Sequence, residues 1–81
     1  MGMSDGYYEF ITALGERLKN RRKAAGLLQK DIARQLGMSN NSVVFYEKGG
    51  RAMNIWTFVR LCRLFDVSAD ELLGLEVRDG E

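Results

Sequence analysis

Histidine is absent from the 81 residues, and Cys62 is the one cysteine. These two facts remove most of the chemistry a small domain can perform. A Cys/His metal site cannot be assembled, and the lone thiol has no internal partner for a disulfide. Histidine-dependent acid–base or triad catalysis is excluded. Serine, lysine and aspartate remain, but no Ser-x-x-Lys or Gly-x-Ser-x-Gly pattern brings them together, and no loop has calcium-ligand spacing. The expectation is a protein that is not an enzyme and carries no metal or cofactor.

What is left is the chemistry of recognition, concentrated between Gln29 and Gly49 in QKDIARQLGMSNNSVVFYEKG. Ile32, Ala33 and Leu36 fall at helical spacing, with Lys30, Asp31, Arg34 and Gln35 outside. Gly37 suits a left-handed helix end, Met38 adds one apolar side chain to the turn, and Ser39 offers an oxygen to the free amides of a second helix. That helix is expected from about Asn40 to Lys48. Val43 and Tyr46 or Glu47 would face the first helix, leaving Asn40, Asn41, Val44 and Phe45 outward. Two short helices joined by a tight turn and holding out such a face fit the major groove of double-stranded DNA.

The charge distribution supports a polyanion as partner. The net charge of +1 divides into −3 for residues 1–16, +9 for residues 17–63 and −5 for residues 64–81. The basic block holds eleven Lys and Arg against Asp31 and Glu47, and it contains the whole helix pair. Blocks of this kind mark nucleic-acid surfaces, and solvated helix faces are the plainer account of the same charges.

The elements needed to position this pair follow from the flanks. A disordered N-terminus is expected over residues 1–6, with Ser4 or Asp5 available as a cap. Phe10, Ile11, Leu14 and Leu18 step by three and four through a long first helix, Tyr7 to Ala25, whose last turn carries Arg21, Arg22 and Lys23. Gly26 ends it, and Leu27 is expected to be more buried than Leu28. Asn54 can cap a fourth helix from Ile55 to Phe65, with Ile55, Phe58, Leu61, Cys62 and Phe65 on its inner stripe. Ser68 and Glu71 make a capping box for a short fifth helix that stops at Gly74. The result is an all-α, compact five-helix bundle over residues 7–75, with a loose tail at 76–81. A second domain is not expected at this length. No apolar run approaches a membrane span, no signal peptide is evident, and Gly6 breaks a possible myristoylation motif. The reading is a soluble, cytoplasmic protein with no membrane association and no evident small-molecule effector site.

With these features in place, the sequence resembles the Cro/cI-type helix-turn-helix family, the phage-repressor-like DNA-binding domains also called the XRE family. The resemblance covers roughly residues 14–73. It is carried by LGERLKNRRKAAGL from Leu14, QxxxAxxLGMS from Gln29, YEKG from Tyr46 and VSADELL from Val67. It implies a lambda-repressor-like five-helix fold, operator DNA as ligand and a homodimer on a palindromic site. Position by position, Gln29 matches the family's phosphate-touching glutamine, which also braces the recognition helix. Asn40 and Asn41 match the base-reading positions, where an asparagine amide can pair with adenine N6 and N7. Ser39 and Ser42 are candidate phosphate contacts, although Ser39 can equally be occupied as a cap. Lys48 and Arg51 match residues that grip the DNA backbone. Arg22 and Glu47 match a partly buried ion pair between the first and third helices.

The departures from the family pattern are equally specific. Leu28 stands where relatives usually have Ser or Thr, so the cap of the second helix is missing. Val44 and Phe45 occupy positions that are commonly polar. They could meet thymine methyl groups or form a protein contact. Trp56 lies off the inner stripe of the fourth helix, either packed from one side or part of a self-association surface, with Tyr7 and Tyr8 nearby candidates. The leading expectation is a sequence-specific DNA-binding transcriptional regulator, acting as a homodimeric repressor. The alternative is a protein-interaction module of the same fold, antitoxin-like or partner-binding, that uses Val44, Phe45 and Trp56.

Overall fold

The computed structural model describes residues 6–75, and its element order is α1 (Tyr7–Ala24), α2 (Gln29–Leu36), α3 (Asn40–Lys48), α4 (Ile55–Phe65) and α5 (Ala69–Leu73). Among the described residues the regular structure is all helical. The expectations for residues 1–5, including caps from Ser4 or Asp5, and for the tail at 76–81 lie outside the described residues.

Local chemistry explains most of the boundaries. Ser39 Oγ accepts from the Ser42 amide at 3.2 Å, and Asn54 Oδ1 accepts from the Thr57 amide at 2.8 Å. Ser68 and Glu71 form a reciprocal box, with Glu71 N donating to Ser68 Oγ at 3.0 Å and Ser68 N donating to Glu71 Oε1 at 3.2 Å. α2 lacks a side-chain cap at Leu28, as its sequence implies. The opposite half of the box is nevertheless built: Asp31 Oδ2 accepts from the Leu28 amide at 2.8 Å, so one N-terminal donor is satisfied. α1 begins at Gly6 without a side-chain cap, and it ends one residue earlier than expected, at Ala24 with Ala25 as its cap.

Packing is organised around α3. Leu18, Ile32, Ala33, Leu36, Val43 and Leu61 form one buried cluster, which joins α1, α2, α3 and α4. Leu14, Val67 and Leu72 form a second, with Met53 and Phe65 packed against both. Gly15 is what lets α1 approach α3. A β-carbon there would come within 2.6 Å of the Glu47 carbonyl oxygen and closer still to that of Tyr46.

Two expected stripe positions are not in the core. Ile55 is 80% exposed and Phe10 is 41% exposed. The inner line of α4 runs through Thr57 and Leu61, both buried. At roughly 100° per residue, Ile55 lies about 120° round the helix from Leu61 and at its first position. Phe10 similarly sits one residue off the buried line Ile11, Leu14, Leu18 and Arg22 of α1. Leu27 is half-buried against the first cluster, whereas Leu28 is exposed.

Candidate nucleic-acid interface

α3 has one buried side and one open side. Val43 is 1% exposed and Glu47 6% exposed, and they face the bundle with Tyr46 packed beside them. Glu47 is fixed by three donors. Arg22 Nε lies 2.6 Å from its Oε2, Arg22 Nη2 lies 3.1 Å from Oε1, and Gln29 Nε2 donates to Oε1 at 3.0 Å. Arg22 spends a further donor on the Leu27 carbonyl at 3.0 Å. This network ties the end of α1, the start of α2 and the last turn of α3 together, so the orientation of the outward face is set from behind.

On the open side Asn40, Asn41, Phe45 and Lys48 are exposed and Val44 is half-buried. Helical geometry places Asn41, Phe45 and Lys48 along the centre of this face, away from Val43, with Asn40 and Val44 on one flank. Asn40 borders an open concavity of about 510 Å³ lined also by Lys19, Arg22, Lys23, Gln29 and Lys30. Lys19 and Lys23, one turn apart on α1, and Lys30 in the first turn of α2 surround the amide end of α2, which favours an anion. Lys19, Lys23 and Lys30 were counted in the basic block, but none of them was named as a DNA contact from the sequence. Their signal was the four-residue spacing of Lys19 and Lys23.

On the other flank Ser42 Oγ is 3.0 Å from Ser39 Oγ, and Arg51 Nη1 is 3.5 Å from Ser42 Oγ. Ser39 is thereby occupied as a cap, while Ser42 is half-buried beside it. The Arg51 guanidinium stands 5.3 Å from the Phe45 ring centroid. Gln29 is turned towards Glu47, so its amide nitrogen braces α3 at the edge of the open face.

Trp56 lies apart from this surface, 59% exposed on α4 with the Arg60 guanidinium 5.8 Å from its ring. Near it Ile55 opens onto an apolar groove of about 390 Å³ formed with Tyr7, Phe10, Leu14, Met53 and Leu73. Cys62 is half-buried, and burial pushes its thiol above the ordinary range, which suits a packing residue better than a reactive one. Among the described residues no helix is long and apolar enough to cross a membrane.

Comparison with known proteins agrees with this fold. A family model described as a helix-turn-helix domain matches residues 13–75. The HTH-type transcriptional regulator ImmR of Bacillus subtilis is 42% identical over 62 residues, which make up 76% of this chain and 49% of ImmR. The cryptic phage CTXphi transcriptional repressor RstR of Vibrio cholerae is 36% identical over 59 residues, 73% of this chain and 50% of RstR. The chain thus spans about half the length of these curated relatives. The crystal structure of the restriction-modification controller protein C.AhdI from Aeromonas hydrophila superposes with a TM-score of 0.71 at 29% identity, over 76% of this chain and 94% of that one. With the motifs, the five helices and the family match in agreement, the chain belongs to the Cro/cI-type (XRE) family of helix-turn-helix domains.

Proposed function

We propose that this chain is the sequence-specific, double-stranded DNA-binding part of a transcriptional regulator, and that it represses as a homodimer on a palindromic operator. The observation that carries the reading is the open face of α3, held from behind by Arg22, Glu47 and Gln29 and bordered by Lys19, Lys23 and Lys30. α3 lies in the major groove, where Asn40 and Asn41 pair with base edges, Val44 meets a thymine methyl, and Phe45 shares their face. Gln29, Ser42, Lys48 and Arg51 contact phosphates and fix the register of α3 on the duplex without specifying sequence, while Ser39 stays engaged as the cap of α3. The repressor role draws support from the likeness to RstR. The homodimer draws support from exposed Ile55 and Trp56 beside the apolar groove, since such patches favour association.

Selection of bound duplexes from a random library tests the reading. The expected product is a two-fold symmetric consensus, and Asn40→Ala and Asn41→Ala should each relax one base position per half-site. Unaltered preferences in both variants would mean that another surface reads the bases. The exposed apolar side chains Phe45 and Trp56 also favour a second reading, a protein-binding module. Failure of the folded protein to bind any duplex at low salt, where phosphate contacts are strongest, would select it.

A further inference from the structure

Arg51 is folded back onto α3 rather than projecting from the loop that follows it. The chain leaves the helix through Gly49, left-handed at φ 76°, and through Gly50, whose amide donates to the Phe45 carbonyl at 2.9 Å. This closure reverses the backbone sharply. A β-carbon on Gly50 would lie 3.4 Å from Phe45 Cδ1, so the turn passes in contact with the ring. Arg51 then lies with its guanidinium carbon 5.3 Å from the ring centroid and Nη1 3.5 Å from Ser42 Oγ, one helical turn before Phe45. Three separate restraints therefore act on one exposed arginine: the reversed backbone, the aromatic face and the hydroxyl.

Building on the DNA-binding reading above, we propose that Phe45 is a positioning residue. Its ring is the platform that holds the Arg51 guanidinium beside Ser39 and Ser42, where it grips a DNA phosphate, and Phe45 itself reads no base. A free arginine loses substantial rotamer freedom when it is immobilised on a phosphate. One already stacked on a ring has lost part of it before binding, and a guanidinium can stack and donate at the same time. The location fits a phosphate because Ser39 and Ser42 stand at the start of α3, where amides and the helix dipole favour an anion. It also accounts for a large aromatic ring at the centre of the face, between the polar side chains of Asn41 and Lys48.

The test compares wild type, Phe45→Ala, Phe45→Tyr, Arg51→Ala and the double Phe45→Ala/Arg51→Ala variant on the selected duplex. Phe45→Ala is expected to weaken binding about 2- to 5-fold, the range of an exposed cation–π contact, with base preferences unchanged. Phe45→Tyr should bind as wild type, and the double variant no more weakly than Arg51→Ala alone. Independent losses that multiply, or a relaxed base position in Phe45→Ala, would overturn the proposal and return Phe45 to base reading. Nuclear magnetic resonance of the free protein gives a second readout: Arg51 side-chain protons shifted upfield by the Phe45 ring, an effect abolished in Phe45→Ala. Absence of that shift in wild type overturns the platform while leaving DNA binding intact. A wild-type protein that shows the shift but binds no duplex overturns the DNA reading and the proposal with it.

Discussion

Arg22 meets Glu47 side-on across the junction of α1 and α3, with Nε 2.6 Å from Oε2 and Nη2 3.1 Å from Oε1. The pair is buried, and its side chains retain only 10% and 3% of their exposure. Two-point contact of this kind fixes the rotation of α3 as well as its distance from α1. Whatever the outward face of α3 recognises is presented at an angle that this pair sets.

Removing one partner leaves the other charge buried and alone. Glu47→Ala should therefore lower folding stability by about 3–5 kcal/mol, with any loss of DNA affinity following from that. Replacing both with apolar residues, as in Arg22→Met/Glu47→Leu, should be less damaging than either single change, because no orphaned charge remains. Urea denaturation of the single and double variants beside wild type checks the order. A Glu47→Ala protein as stable as wild type would show that the pair adds nothing to folding.

Gly15 reverses an ordinary rule. An exposed glycine inside a helix gains about 1 kcal/mol when replaced by alanine. In α1 a β-carbon at residue 15 would run into the carbonyl oxygens of Tyr46 and Glu47, which are backbone atoms and cannot swing aside. Gly15→Ala is expected to destabilise by about 1–3 kcal/mol, as overpacking does, and to displace α3. The sign of the change in thermal midpoint decides the matter, since a rise would mean that the helices separate without penalty.

The contrast between Gly15 and Ser39 shows which features a sequence makes legible. Helix limits were legible because their causes are local: Ser39, Asn54 and Ser68 each cap within three residues of themselves. The five-helix order and the outward placement of Asn40, Asn41 and Phe45 followed from periodicity. Ile55 was misplaced because its spacing to Phe58 and Cys62 fits a stripe, whereas the line that is buried runs through Thr57 and Leu61, and spacing does not show which line the bundle covers. Gly15 and the stacking of Arg51 on Phe45 were not legible for a related reason. Both depend on how separate segments pass one another, and nothing in LGERL or GGRAM announces it. The lysine rim lay between these cases: its charges were visible, but its shape required α1 and α2 to be set side by side.

Asp66 offers a stabilising change. It caps α4 at φ 52°, the one positive φ outside glycine among the described residues. A β-carbon is disfavoured in that conformation, and aspartate only partly escapes the penalty. Asp66→Gly should raise stability by about 0.5–1 kcal/mol, because the capping bonds from the amides of Asp66 and Val67 need no side chain. Equilibrium denaturation reads the difference, and a less stable variant would show that the carboxylate contributes more than the strain removes.

The lysine rim can be tested apart from Asn40 and Asn41, the residues proposed to read bases. Lys19, Lys23 and Lys30 surround one concavity at the amide end of α2. If they hold a phosphate, Lys19→Gln, Lys23→Gln and Lys30→Gln should weaken all duplexes alike. The slope of log affinity against log salt should fall by about 0.9 for each phosphate that is no longer neutralised. Base preferences should stay as in wild type, which separates these residues from Asn40 and Asn41. A triple variant with an unchanged salt slope would place the duplex elsewhere.

Association can be separated from DNA contact through Ile55. Its side chain is 80% exposed at the mouth of the apolar groove, so a change there leaves both core clusters untouched. Ile55→Glu should fold with near-native stability, because substitutions at exposed positions outside the core cost little. In a dimer that buries this patch the same carboxylate would be desolvated against Phe10 and Leu73, or against their copies in the partner. Sedimentation equilibrium should then show a shift to monomer for Ile55→Glu. Affinity for a full palindromic site should fall towards that for a half-site, because the second recognition helix is no longer tethered to the first. A variant that stays dimeric and binds the full site as wild type would place the dimer interface on another face, and Trp56→Glu, on the adjacent position of α4, would be the next to examine.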